Sequence, residues 1–146
     1  MNAVVMAGAY AGIAAGVILL LLSYLAPFVG AGNRLPDLDK PRVFGKTITP
    51  REAHVIGILV HLLFSLTNGA LFAWFVSLGW VSGFHLLPIL GWSFACLLVQ
   101  GGIVMPLEGH GFFGMKHDAW FPVDVFLTNM IWGFLYLFLI PLWTSV

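Results

Sequence analysis

VIGILVHLLFSLTNGALFAWFVSL, residues 55–78, contains no Asp, Glu, Lys or Arg. At 1.5 Å per residue it reaches across the ~30 Å hydrocarbon layer of a bilayer as an α-helix. It is too long for a strand and lacks the alternating polarity that a membrane β-barrel needs. Immediately upstream, Thr49-Pro50-Arg51-Glu52 has the form of a capping box with proline at the first helical position, which starts this helix at the membrane surface. Three further runs have the same character: Ala3–Leu25, Leu86–Leu107 and Val123–Trp143. The sequence therefore predicts an all-α integral membrane protein, a single domain over residues 1–146 built as a four-transmembrane-helix bundle.

Composition points the same way. Of 146 residues, 60% are hydrophobic and 8% are charged, whereas a soluble domain carries about 25% charged residues. A water-facing surface cannot be assembled from so few. Six basic residues balance six acidic ones, so there is no electrostatic footprint for nucleic acid. The expected partners are the lipid bilayer and other membrane subunits or further copies of the chain. The single cysteine, Cys96, lies inside an apolar run and rules out an intramolecular disulfide. Residues 3–25 read as a retained anchor and not as a signal peptide, because no basic segment precedes them and the run exceeds a signal core.

The connections differ sharply. Residues 26–49 hold Arg34, Asp37, Asp39, Lys40, Arg42 and Lys46; residues 79–85 are uncharged; residues 108–121 hold Glu108, Lys116 and Asp118. With four spans the first and third connections share a side, and Arg51, Glu52 and Asp124 at the adjoining helix ends join them there. All the charged side chains thus gather at one face. The excess of Lys and Arg in short cytoplasmic loops places that face in the cytoplasm and both termini outside. Leu35, Leu38, Val43 and Phe44 allow the first connection either to lie along the membrane surface or to act as a plain linker.

Small residues mark one face of the first helix. Gly8, Gly12 and Gly16 recur every fourth residue beside Ala3, Ala7, Ala11 and Ala15. Such tracks let backbones approach closely where lipid supplies no hydrophobic drive to association. The track serves either the protein's own bundle or another subunit. Trp74, Trp80 and Trp143 sit where interfacial aromatics are expected.

Polar residues inside a span are costly and therefore informative. His54, His61 and Asn68 follow one another at intervals of seven, close to two helical turns, and Gly57 and Ser65 share their stripe. The third helix adds Ser93, Cys96 and Gln100, and the fourth adds Asp124, Thr128 and Asn129. Counted from the helix ends on the charged side, His61, Gln100 and Asn129 fall roughly 10–15 Å below the surface. They form a candidate layer that either fixes the packing by hydrogen bonds or binds a cofactor such as a quinone head group. His54, Glu108 and Asp124 form a shallower tier. The Gly-rich connection brings His110, His117 and Asp118, so His54, Glu108, His110, His117 and Asp118 are the candidate ligands of a divalent metal. Their spacing matches no established metal signature, and a tight re-entrant turn also needs those glycines. Phe112 and Phe113 are expected to fold this connection back over the mouth of the bundle. Bis-histidine haem ligation is disfavoured because only the second span carries histidines.

No nucleophile elbow, phosphate loop, dinucleotide fingerprint or zinc-protease helix occurs, so no catalytic residue is assigned. Met105-Pro106, Gly109-x-Gly111-x-Phe113-Gly114 and Trp132-Gly133 make the second half similar to small bacterial four-helix membrane proteins such as the YagU-like inner-membrane group. The resemblance implies the architecture and a prokaryotic inner membrane, and no chemistry. Three functions remain open at this point: a non-enzymatic subunit of a larger, energy-transducing membrane complex; a metal- or cofactor-binding membrane protein, with a redox enzyme among the options, that has a cytoplasmic-side His/Glu/Asp site; and a small oligomeric transporter.

Overall fold

The structure is a computed structural model that describes residues 3–29, 42–43, 46–108, 111–116 and 121–144. Helix α1 spans Ala3–Leu25 and tightens into a 3₁₀ turn at Ala26–Val29. Within the first connection β1 (Arg42–Val43) pairs antiparallel with β2 (Lys46–Thr47), Arg42 opposite Thr47 and Val43 opposite Lys46. Helix α2 runs Pro50–Ser77. The third span is α3 (Leu86–Val99), a π-helical turn (Gln100–Val104) and the single turn α4 (Met105–Glu108). A 3₁₀ turn at Phe112–Gly114 precedes α5 (Phe121–Thr144). Four helices are long and apolar enough to cross a membrane, and the protein is an integral membrane four-helix bundle.

The start of α2 follows from its capping box. The Glu52 carboxylate accepts the Thr49 backbone N–H at 2.7 Å, and the Thr49 hydroxyl accepts the Glu52 backbone N–H at 3.3 Å. Two donors that the helix leaves unpaired are thereby satisfied. The helix begins at Pro50, five residues before the apolar run at Val55, because these polar first-turn residues are helical without lying in hydrocarbon.

Backbone proximity sets the helix order. α1 lies against both α2 and α5, and α3 lies against α5. The α1–α2 seam is the glycine track. A methyl carbon built on Gly69 would sit 2.9 Å from the Gly12 Cα, and one built on Gly16 would sit 2.7 Å from the Ser65 Cβ. Gly8, Gly12 and Gly16 are therefore committed to the protein's own bundle, and the alternative of a docking face for another subunit does not hold for this track. Gly133 does similar work between α5 and α3, where an added Cβ would lie 3.3 Å from Ser93 Cβ and Ile89 Cγ2. Where α2 faces α3, rings fill the space: Phe72 packs on Trp92 at 5.6 Å and Phe84 at 5.8 Å, and Phe75 packs on Trp92 at 5.4 Å.

Two buried clusters result. The larger joins Ala11, Ala15, Leu19, Phe72, Ile89, Trp132, Tyr136 and Ile140. The smaller lies toward the charged end and joins Leu97, Met105 and Val125 with Phe113 packed against them.

Candidate functional site

The stripe on α2 turns inward, as its spacing predicts. Ser65 and Asn68 are buried and His54 and His61 half-buried. His61 Nε2 lies 3.1 Å from the Gly16 carbonyl oxygen. A carbonyl can only accept, so Nε2 carries the proton and donates across the glycine seam. The imidazole plane stacks on the Trp132 indole at 6.0 Å with 11° between the planes, and Phe64, one turn along α2, stacks on the same indole at 5.5 Å. Ser65 donates back to the His61 carbonyl at 2.7 Å, the usual way a hydroxyl is satisfied inside a helix in lipid. Asn68 Oδ1 accepts both the Trp92 indole N–H at 2.8 Å and the Cys96 thiol at 3.3 Å, which ties α2 to α3.

The predicted layer is partly assembled. Asn129 Nδ2 donates to Gln100 Oε1 at 3.0 Å and to the Val125 carbonyl at 2.9 Å. Gln100 opens the π turn, in which the Met105 N–H reaches back five residues to the Gln100 carbonyl. The sequence reading expects a regular helix to Leu107. The bulge falls instead where Gly101 and Gly102 remove the side chains that would crowd it. His61 joins the layer through Trp132, one turn from Asn129, and its own hydrogen bond goes to α1 and not to Gln100 or Asn129.

The shallower tier is only partly visible. The His54 ring nitrogen Nε2 meets the Tyr24 hydroxyl at 2.5 Å, bringing the end of α1 to the start of α2. The Glu108 and Asp124 side chains, and all of His110, His117 and Asp118, lie outside the described residues. Among the described residues no three His, Cys, Asp or Glu side chains converge.

The Gly-rich connection does fold back where residues 111–116 are described. Gly111 and Gly114 take positive φ (78° and 72°), and Phe113 between them has φ 52°. This turns the Phe113 ring onto Gly101, where an added Cβ would lie 2.8 Å from the Phe113 Cγ. Only one of the two rings goes in. Phe112 remains 59% exposed and meets the Phe113 ring edge-on at 5.1 Å. The left-handed residue sends adjacent side chains in opposite directions, so the expectation that both bury is corrected.

Trp132 and Tyr136 are the site residues that the polar reading of the sequence passes over, since both count as apolar bulk. Their spacing from Asn129, three and seven residues, places all three on one face of α5. Asn129, Trp132 and Tyr136 are 2%, 6% and 1% exposed. Among the described residues, Asn129 Oδ1, Trp132 Nε1 and Tyr136 OH are the buried side-chain polar atoms with no hydrogen-bond partner. The arrangement offers hydrogen-bond donors and acceptors inside the membrane. No protein-family model matches the chain, and neither the curated proteins nor the solved structures compared with it give a match.

Proposed function

We propose that this protein is a non-enzymatic structural subunit of a larger, energy-transducing membrane complex in a prokaryotic inner membrane. Its charged connections lie in the cytoplasm and both termini outside. The observation that carries the reading is the use to which the polar core is put. His61 bonds to the Gly16 carbonyl, Asn68 to Trp92 and Cys96, and Asn129 to Gln100, each tying one helix to another. In lipid, hydrogen bonds and close backbone packing supply the association that hydrophobic burial gives in water, so these groups act as a frame. The energy-transducing part rests on His61, an imidazole within a span, because ionisable groups at such depth mark ion or proton routes. The orientation rests on the six basic residues gathered at one face.

Native extraction in mild detergent tests the reading. The chain should migrate with unlike membrane subunits at fixed stoichiometry. Migration at the mass of one chain, or of copies of this chain alone, would overturn it.

A further inference from the structure

We propose that Asn129, Trp132 and Tyr136 line a file of bound water inside the bundle, reached from the charged end past the ring of Phe113. The inference goes beyond the subunit reading and stands or falls without it. Its basis is the three unpartnered atoms already described, each on a side chain more than nine-tenths buried and all on one face of α5. A polar atom left without a partner in hydrocarbon is strongly unfavourable, and native structures pair such groups with protein or with ordered water.

The chemistry of the three atoms selects the ligand. Asn129 uses both its N–H groups on Gln100 and Val125, and because the Val125 carbonyl can only accept, the amide orientation is set and Oδ1 is left as a pure acceptor. The Trp132 indole N–H is a pure donor, and the Tyr136 hydroxyl is both. A molecule that answers all three must accept, donate and be small enough to lie among Phe72, Ile89 and Ile140, which pack the same core. Water does this, and it is typically held by about three hydrogen bonds when buried. Along the α5 axis the Cα atoms of Asn129, Trp132 and Tyr136 step by about 4.5 and 6 Å, so the three residues follow one another in depth.

Phe113 is placed to close the file. Its ring rests on Gly101, next to Gln100, and Gln100 holds Asn129 at the end of the line nearest the charged face. Its φ of 52° is strained for an aromatic residue and persists only while packing against Leu97, Met105 and Val125 holds it. The π turn beneath it is a form that recurs at functional positions in helices. A ring kept by packing against backbone strain can leave and return, admitting water when it does.

The test is the water exchange of indole N–H groups in the full chain, ¹⁵N-labelled at tryptophan and reconstituted in bilayers. Trp132 is assigned by its through-space contact to the His61 ring. Trp92 serves as the internal control, because it is less buried than Trp132 but donates to Asn68. In the wild type the Trp132 N–H should exchange with water faster than the Trp92 N–H. Phe113→Ala should speed exchange at Trp132 by about tenfold, with Phe113→Leu close to wild type and Trp92 unchanged in both. A Trp132 N–H that exchanges no faster than Trp92 in the wild type overturns the water file. Exchange that is fast yet indifferent to Phe113→Ala, in a protein whose Trp92 signal is intact, overturns access past Phe113.

Discussion

Replacing Gly12 with alanine adds one methyl group where the α1 and α2 backbones touch. The new Cβ would lie 3.0 Å from the Ser65 carbonyl carbon and 3.2 Å from the Leu66 Cα, and nearer still to the Ser65 carbonyl oxygen. These are backbone atoms of a continuous helix, so no side chain can rotate away. Ordinary contact requires the two helices to separate locally by roughly 1 Å, and a gap of that size forfeits about a quarter to a half of each van der Waals contact along the seam. Overpacking of this kind typically costs about 1–3 kcal/mol, and the longer Gly12→Leu should cost more. The same movement draws the Gly16 carbonyl away from His61 Nε2 and weakens their 3.1 Å hydrogen bond. Folded fraction against SDS in mixed micelles, followed by tryptophan fluorescence, measures the loss. Gly91→Ala is the control, since a Cβ there meets nothing within 4 Å. Gly12→Ala within about 0.5 kcal/mol of wild type, the range of an uninvolved surface site, would refute the packing argument.

Three further outcomes are expected. A cysteine placed at Ser82 should be labelled by an impermeant thiol reagent from outside, and one placed at Lys40 only after permeabilisation; the reverse pattern inverts the topology. Gly101→Ala should displace the Phe113 ring, forfeiting part of the roughly 1.5–3 kcal/mol that full burial of such a ring gives and making the bond after Lys116 more sensitive to trypsin, and an unchanged cleavage rate would show that the ring does not rest on Gly101. Elemental analysis should find no stoichiometric metal in the purified protein; zinc or iron that is present in the wild type and lost in His110→Ala plus His117→Ala would replace the structural reading with a metal site formed by the Gly-rich connection.

The polar residues show how far spacing carries. Depth along a helix is arithmetic, so counting from the helix ends places Gln100 and Asn129 at one level, and they meet in the structure. Direction across the bundle is not arithmetic. His61 shares their depth, but its hydrogen bond goes to the Gly16 carbonyl because α1, stripped of side chains along its glycine track, brings its backbone within reach. A hydropathy reading weighs Trp132 and Tyr136 by their bulk and not by their polar atoms. Whether the N–H or O–H of such a residue has a partner depends on neighbours from other helices.

The sequence alone determined that there are four spans, where each roughly lies and which ends share a face. Those properties depend on local quantities: run length against bilayer thickness, the capping pattern at Thr49–Glu52 and the distribution of charge. Tertiary structure decided that the glycine track of α1 belongs to α2, that rings fill the space between α2 and α3, and that Phe113 turns in while Phe112 stays out. It also decided that, among the described residues, three polar atoms on α5 are buried without a protein partner. A polar stripe tells which side of a span turns inward, but in lipid the remaining faces are all apolar, so hydropathy cannot say which neighbour each one meets. That choice is made by shape, through the few places where a missing Cβ lets two backbones come together.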